Sequence, residues 1–244
     1  MRILDDLIST LDLGVKVRDI RVGPFQTAVL TRNCGLAATP HDHAGHQEQA
    51  PVKEAGTLVE RDVADLVQLA SSASPLEAAI GMATINSLLE VGERRCAEVN
   101  GGDLIAERGK GKKIAVIGHF PFVPRLRQAA KEVWVIERHP REGDVGEEQA
   151  EHLVPQADVV GITGTAFINH TIENLLALCR RDAYVVVLGA TAPLSPVLFD
   201  YGVDAISGTK VIEPEVVLRH VGQGATFRQL RGTLRLTMEK ENGW

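Results

Sequence analysis

The stretch Ile114-Ala-Val-Ile-Gly-His-Phe-Pro121 decides the fold class, because it is a short apolar run that ends at a glycine. A run of apolar residues without alternation is typical of a strand covered on both faces. Comparable runs occupy 133–136, 158–162, 184–188 and 203–206, and segments with a helical pattern separate them. Strands that alternate with helices form right-handed crossovers and parallel sheets. The sequence therefore predicts an α/β fold whose later part holds five parallel strands.

The chain before this stretch has a different pattern. Apolar residues at helical spacing predict an opening helix, and alternating apolar and polar residues on both sides of Gly23-Pro24 predict a hairpin. Residues 76–89 are apolar nearly all round, which is typical of a buried helix. This helix should begin at Pro75, with Ser74 and Glu77 as a capping box. These elements predict a small α+β unit.

The segment between Glu90 and Lys113 is where apolar content falls while charge and glycine content rise, as is usual at a domain boundary. At 244 residues the chain is long enough for two domains. We therefore predict one domain over residues 1–100 and a second over residues 112–244, with a mainly parallel, Rossmann-like sheet in the second.

Charge and cysteine content limit the partners that the sequence predicts. The formal net charge is −6, with 26 basic and 32 acidic residues, so neither nucleic acid nor an anionic membrane surface is expected as a partner. Cys34, Cys96 and Cys179 are far apart and form no C-x-x-C pair, which favours a reducing compartment. The N-terminus carries acids, Asp5 and Asp6, where a signal peptide would carry basic residues, and no apolar run is long enough to span a membrane. We expect a cytoplasmic protein with a small-molecule ligand, and the sequence leaves a homo-oligomer open.

Small polar residues follow each of the predicted parallel strands. In open α/β sheets ligands bind beyond the carboxyl ends of the strands, where glycine permits close approach and hydroxyls can bond an anion. Each segment alone also suits an ordinary turn, but five in succession at ligand-facing ends favour a binding site. The segments are Gly118–Pro121, Glu137–Pro140, Thr163–Thr165, Gly189–Thr191 and Ser207–Thr209.

The first of these turns lacks the G-x-G-x-x-G pattern of dinucleotide-binding folds. His119 and Phe120 stand where a pyrophosphate needs backbone clearance, so ordinary NAD is disfavoured and the cofactor is left unknown. Glu137 ends the second strand, where an acid can bind a ribose hydroxyl or pair with a neighbouring arginine. No motif for nucleophilic catalysis is recognised. Glu137, His119 and His139 are the candidates for proton transfer, although both histidines could simply face solvent.

Two asparagines lie where an amide needs a partner. Asn86 lies inside the predicted buried helix, where an unsatisfied amide costs about 1–3 kcal/mol, so it should bond either to backbone across the domain junction or to a ligand. Asn169 precedes a helix that begins near Thr171, and either residue could be its N-cap. The residue that does not cap could direct a hydrogen bond at the ligand.

A histidine-rich tract, His41-Asp42-His43-Ala44-Gly45-His46, places three imidazoles and a carboxylate close together. Such side chains suit a divalent transition metal such as zinc, nickel or copper. The same composition also suits a solvated polar loop. We predict His41, Asp42, His43 and His46 as metal ligands, with the solvated loop as the alternative.

Several longer motifs resemble a known family of proteins. They are Gly118-His-Phe-Pro-Phe-Val-Pro124, residues 157–174, Gly189-Ala-Thr-Ala-Pro-Leu-Ser-Pro196 and Gly202-Val-Asp-Ala-Ile-Ser-Gly208, with Phe25-Gln-Thr-Ala-Val29, Gly35-Leu-Ala37 and residues 74–87 in the first part. Together they resemble the bacterial and archaeal family described as "putative heavy-metal chelation". The resemblance covers nearly the whole chain.

This resemblance implies an enolase N-terminal-like domain followed by a Rossmann-like domain, with the site in the cleft between them. It implies that nine residues border that cleft. They are Asn86, Gly118, Phe120, Glu137, Thr163, Gly164, Asn169, Thr191 and Gly208.

Three functions are compatible with these observations. The leading hypothesis is a protein that binds, and in one version modifies, a small polar or metal-chelating molecule between its domains. The second is an enzyme that acts on a nucleotide-like or pterin-like substrate without a metal, through Glu137 or a histidine. The third is a non-catalytic metal carrier that uses the histidine-rich tract.

Overall fold

The structure, a computed structural model, describes residues 1–40, 51–92 and 95–240. Its helices are α1 Arg2–Ser9, α2 Val63–Gln68, α3 Pro75–Leu88, α4 Gly101–Arg108, α5 Val123–Ala129, α6 Ala150–Leu153, α7 Thr165–Ile168, α8 Ile172–Leu178 and α9 Pro214–Gly222. Its strands are β1 Asp19–Val22, β2 Gln26–Leu30, β3 Cys34–Ala38, β4 Lys113–Ile117, β5 Glu132–Glu137, β6 Val145–Gly146, β7 Val159–Thr163, β8 Tyr184–Leu188, β9 Ala205–Val211 and β10 Thr233–Glu239.

The larger sheet has seven strands in the order β10-β9-β8-β7-β4-β5-β6. All neighbours are parallel except β10, which runs antiparallel to β9. The five predicted parallel strands are confirmed as β4, β5, β7, β8 and β9. From β4 the chain proceeds outward through β5 and β6, and then returns to the other side of β4 for β7, β8 and β9. This is the strand order of a doubly wound α/β sheet.

The smaller sheet is antiparallel, with the order β1-β2-β3. The predicted hairpin is confirmed, because β1 pairs with β2 from Asp19↔Leu30 to Val22↔Thr27. The third strand was not predicted. Gly35 lets it lie close to α3, since a Cβ at this position would stand 2.1 Å from the carbonyl oxygen of Ala83.

Helix α3 begins at Pro75 as predicted, and most of its residues are buried. The capping-box prediction is wrong, because Ser74 occupies the N-cap position without a side-chain capping bond. Its hydroxyl donates instead to the carbonyl oxygen of Pro51. The Glu77 carboxylate accepts from the backbone N–H of Lys53 at 2.8 Å and from the Ser72 hydroxyl. Nearby loop groups therefore compete successfully for both side chains.

Helix α4 lies between the two predicted domains in sequence and packs on the larger sheet. Its first N–H, from Gly101, donates to Ser207 Oγ at 3.0 Å. Ile105 is fully buried and packs with Ile114 and Val186 of that sheet. Among the described helices, none is long and apolar enough to cross a membrane.

Candidate functional site

The candidate site lies where the strand order of the larger sheet reverses. β4 and β7 are neighbours although β5 and β6 separate them in the chain, and ligands of open α/β sheets bind beyond the strand ends at such a point. Two adjoining cavities open there, with volumes of about 750 Å³ and about 460 Å³. Phe120, Thr163 and Thr165 belong to the walls of both cavities.

The two cavities differ in charge, and we name them accordingly. The larger is the basic pocket, whose charged lining residues are three arginines and one aspartate: Arg125, Arg228, Arg235 and Asp103. The smaller is the acidic pocket, whose charged lining residues are three glutamates and one arginine: Glu137, Glu147, Glu151 and Arg138. Since the whole chain carries a net charge of −6, the positive excess of the basic pocket is a local property.

The smaller sheet forms one side of the basic pocket, through Gln26 and Ala38. The backbone N–H of Ala38 donates to Thr191 Oγ1 at 2.9 Å, which joins β3 to the loop after β8. Asn86 supports the same junction, because its Nδ2 donates to the carbonyl oxygens of Leu36 at 2.8 Å and Thr191 at 3.2 Å. The backbone bond across the junction, one of the two alternatives predicted for Asn86, is therefore present, and the Oδ1 of Asn86 is buried without a partner among the described residues.

Gln26 presents an unsatisfied acceptor at the basic pocket. Its residue is 6% exposed, and its Oε1 has no hydrogen-bond partner within the part of the chain that the structure describes. A buried acceptor without a partner costs about 1–3 kcal/mol.

The arginines of the basic pocket are not all paired. Arg125 forms an ion pair with Asp103. Neither Arg228 nor Arg235 pairs with an acid of the described residues, and the guanidinium of Arg235 lies 5.3 Å from the ring centroid of Phe227. Guanidinium groups bind carboxylates and phosphates through paired N–H donors. The pocket can therefore attract and hold an anionic group.

Aromatic rings fill the turn that follows β4. Phe120 and Phe122 stack with their centroids 5.1 Å apart. Gly118 has a φ of +104°, which side chains other than glycine rarely adopt. A Cβ on Gly118 would stand 3.1 Å from the ring of Phe120. The backbone that approaches a pyrophosphate in dinucleotide-binding folds is therefore covered by an aromatic ring here.

The acidic pocket contains a histidine held by two carboxylates. The backbone N–H of His119 donates to Glu137 Oε1 at 2.6 Å, and its ring Nδ1 lies 2.9 Å from Asp144 Oδ2. The Asp144 side chain is 0% exposed, whereas that of His119 is 27% exposed. An ionised carboxylate only accepts hydrogen bonds, so Asp144 favours the proton on Nδ1 and leaves Nε2 without it.

The two pockets bring together most of the predicted site residues. The basic pocket contains Phe120, Thr163, Gly164, Thr191 and Gly208, and the acidic pocket contains Gly118, His119, Phe120, Glu137, Thr163 and Asn169. Of the predicted site residues that the structure describes, two line neither pocket. Asn86 lies at the junction behind the basic pocket wall, and His139 is exposed.

Of the two residues predicted as the possible N-cap of the helix near Thr171, the structure has Thr171 in that position, at the start of α8. Its side chain, however, makes no capping bond. Asn169 is the residue after α7 and is exposed at the acidic pocket. Because α7 and α8 follow each other closely, the backbone turns between them without a side-chain cap, and the Asn169 amide is left for other partners.

The described residues do not supply a metal cage. Across 1–40, 51–92 and 95–240, no group of three or more His, Cys, Asp or Glu side chains is arranged to hold a metal ion. His41, Asp42, His43 and His46, the predicted metal ligands, lie outside the described residues. The donor set of the two pockets therefore fits a ligand with polar groups better than a bare ion.

Several residues of the site were not predicted, among them Gln26, Asp144, Arg228 and Arg235. Asp144 lies in a loop, and the sequence carries no signal that this loop returns to His119. Arg235 could have been found, because residues 233–239 alternate polar and apolar side chains in the manner of a half-exposed strand. Arg235 pairs with Thr209 of β9, which places it beside the carboxyl end of that strand.

Comparisons with known proteins support one family. Two family models, both described as "putative heavy-metal chelation", match residues 101–240 and residues 4–89. An uncharacterized protein of Methanocaldococcus jannaschii is 26% identical over an alignment of 252 positions, which covers 97% of this chain and 95% of that protein.

Two solved structures of proteins with unknown function have the same fold. The protein from Desulfitobacterium hafniense aligns with a TM-score of 0.82 and 24% identity, over 98% of this chain and 97% of that one. The protein from Pyrococcus horikoshii aligns with a TM-score of 0.84 and 22% identity, over 98% of each chain. The model that matches residues 101–240 alone spans more than half of the sequence. This chain therefore belongs to the family described as "putative heavy-metal chelation".

Proposed function

We propose that this protein binds a small anionic molecule of the metal-chelating type in the basic pocket. One observation carries the proposal: Arg228 and Arg235 line a cavity of about 750 Å³ without an acidic partner among the described residues. The metal would arrive as cargo of the chelator, since the described residues offer no metal cage of their own.

The chemistry of the pocket supports this ligand class. Metal chelators carry several carboxylate or hydroxyl oxygens, the donors that hard metal ions prefer. Guanidinium groups match the carboxylates of such a ligand through paired N–H donors. The hydroxyls of Thr191, Ser207 and Thr209 add further polar contacts to the wall.

Calorimetric titration with citrate, a hydroxy-tricarboxylate, tests the proposal. We expect citrate to bind, and we expect the double variant R228Q/R235Q to bind it at least about ten-fold more weakly, because each charge-assisted hydrogen bond contributes about 1.5–3 kcal/mol. The matched control is R219Q/R231Q, which removes two exposed arginines outside this pocket. Equal citrate affinity in both double variants would refute the proposal.

A second candidate function is an enzyme acting on a nucleotide-like or pterin-like substrate without a metal. The bond between His119 and the buried Asp144 favours it, because a histidine oriented by a carboxylate is a common general base. The test is substrate turnover that falls at least about a hundred-fold in His119→Gln and is unchanged in His139→Gln.

A third candidate, the non-catalytic metal carrier, depends on the histidine-rich tract. Its test is the metal content of the purified protein compared with that of the H41A/H43A/H46A variant. Unchanged metal content removes this candidate and leaves the first two.

The assignment of the two domains to known folds is a further part of the proposal. We infer an enolase N-terminal-like domain over residues 1–100 and a Rossmann-like domain over residues 112–244, with α4 packed on the latter. The contacts of α4 and the family-model boundary at residue 101 support a second domain that begins at α4. Limited proteolysis that cuts between residues 89 and 101 would support this boundary.

A further inference from the structure

We propose that the acidic pocket is a separate site for a ribonucleoside, bound through its ribose hydroxyls and without a phosphate in that pocket. This inference goes beyond the anionic ligand of the basic pocket. It depends on the position of Glu137, the cover over Gly118 and the composition of the acidic pocket walls.

Glu137 has the position and the free lone pairs to accept hydrogen bonds from a ribose diol. It ends β5, nineteen residues after Gly118, which is where doubly wound folds place the acid that binds ribose. Its Oε1 accepts the N–H of His119 at 2.6 Å and its Oε2 accepts the N–H of Arg138 at 3.2 Å. A carboxylate has about four lone-pair directions, so each oxygen retains one for a neighbouring hydroxyl of the diol.

The backbone bonds also fix this carboxylate in place. The N–H groups that hold it belong to the two strand ends on either side of the pocket, so Glu137 is oriented before any ligand arrives. Pre-orientation lowers the entropy that binding must overcome.

The other walls suit a nucleobase. Ile136, Ala166, Leu175 and Leu178 give the pocket an apolar surface, which a flat ring can cover. Asn169 and Asn174 stand at the same cavity, and their amides offer both donors and acceptors to the edge of a base. A cavity of about 460 Å³ is within the range of small-molecule sites.

Phosphate is disfavoured in this pocket for two reasons. The ring of Phe120 covers the Gly118 backbone that a phosphate group would approach. The charged groups of the lining are mostly acids, and its arginine, Arg138, is paired with Glu147 at 3.2 Å. A nucleoside whose 5′ substituent is neutral or cationic therefore fits better than a nucleotide.

The test is calorimetric titration of the full chain with adenosine, guanosine, cytidine and uridine, each at about 1 mM, where a Kd in the micromolar range is readily measured. We expect at least one of them to bind. We expect its 2′-deoxy form and its 5′-monophosphate each to bind at least about ten-fold more weakly. Absence of binding by all four nucleosides, or tighter binding of the monophosphate, would overturn the proposal.

Variants assign the effect to Glu137. In Glu137→Gln the amide oxygen can still accept the His119 N–H, so the turn is preserved, but the ribonucleoside should bind at least about ten-fold more weakly and lose its advantage over the deoxynucleoside. Glu148→Gln is the control, because it removes one exposed acid that lies outside the pocket lining. If Glu137→Gln leaves the preference for ribose intact, the assignment is wrong.

The two proposals fail independently. The variant R228Q/R235Q should lose citrate and retain the nucleoside, whereas Glu137→Gln should do the reverse. A failure confined to one ligand therefore identifies which proposal is at fault.

Discussion

Thr191 and Ala38 are joined by a 2.9 Å hydrogen bond that connects the loop after β8 with the last residue of β3. The hydroxyl of Thr191 is the acceptor, and the residue is 1% exposed. We expect Thr191→Val to lower the free energy of unfolding by about 1 kcal/mol, because the part-buried N–H of Ala38 loses its acceptor. Urea denaturation measures the change. Thr233→Val, whose hydroxyl makes no hydrogen bond within the described residues, should change stability by less than about 0.5 kcal/mol.

Asn86 leads to a second stability prediction. In Asn86→Leu the carbonyl oxygens of Leu36 and Thr191 both lose their donor. We expect a destabilisation of about 1–3 kcal/mol in urea denaturation, because two part-buried acceptors lose their donor while the unpartnered Asn86 Oδ1 is also removed. Asn169→Leu is the comparison, and we expect a change of less than about 0.5 kcal/mol because the residue is exposed and occupies the C-cap position of α7 through its backbone N–H, which the substitution retains. Similar losses in both variants would contradict this account.

Gly35 allows a third prediction about the contact between β3 and α3. A Cβ here would meet backbone atoms of α3, the Ala83 oxygen at 2.1 Å and the Ser87 nitrogen at 2.3 Å, and neither can move alone. Gly35→Ala should therefore lower the melting temperature strongly, with a loss of about 3 kcal/mol or more in stability. Gly222→Ala, a helical glycine with nothing within 4 Å of its added carbon, should be neutral or stabilising by up to about 1 kcal/mol.

The cysteine thiols give a prediction about pH. Burial raises the pKa of Cys34 to about 12, and the carboxylates of Asp19 and Glu215 act in the same direction. Burial likewise raises the pKa of Cys179 to about 12. The thiolate fraction falls about ten-fold for each unit of this rise, so both thiols are neutral near pH 8. We expect iodoacetamide to label them only after unfolding in urea, as followed by mass spectrometry. Rapid labelling of Cys34 in the native protein would show that its surroundings are more open than described.

His119 and Asp144 give a prediction about proton position. With Asp144 ionised, the His119 proton should reside on Nδ1, and nitrogen-15 NMR distinguishes this tautomer from the alternative. Asp144→Ala should remove the preference and change the shifts of both ring nitrogens. His139, which is exposed, should give the same spectrum in both proteins and serves as the internal control. Identical His119 shifts in the two proteins would mean that the bond does not persist in solution.

The parallel strands were predictable because burial on both faces produces uninterrupted apolar runs, as in Ile114-Ala-Val-Ile117. β3 was missed because Gly35 interrupts a short apolar run. The reason for a glycine at this position is the close packing of β3 on α3, and this tertiary contact is not visible in the sequence. α4 was missed because glycines surround it, although Asn100 caps its first turn by accepting the Gly102 N–H.

The site was predictable only where the chain direction determines it. Strand ends of a parallel sheet converge on one edge, so Gly118, Thr163 and Thr191 could be assigned to it from sequence. Asp144 lies in an irregular loop that returns to His119, and Arg228 lies in the segment after α9 that returns to the basic pocket. Neither position follows from the periodicity of the sequence. Both depend on how loops fold back, which local patterns do not encode.

The shared wall of the two pockets has a consequence for how the two proposed ligands would affect each other. Phe120 contributes to both cavities, so an occupant that displaces its ring in one compartment changes the shape of the other. The binding free energies at the two sites would then be linked. The linkage is reciprocal, because the factor by which the first ligand changes the affinity for the second equals the factor by which the second changes the affinity for the first. Through this one aromatic side chain, the fraction of protein occupied by either proposed ligand would depend on the concentrations of both.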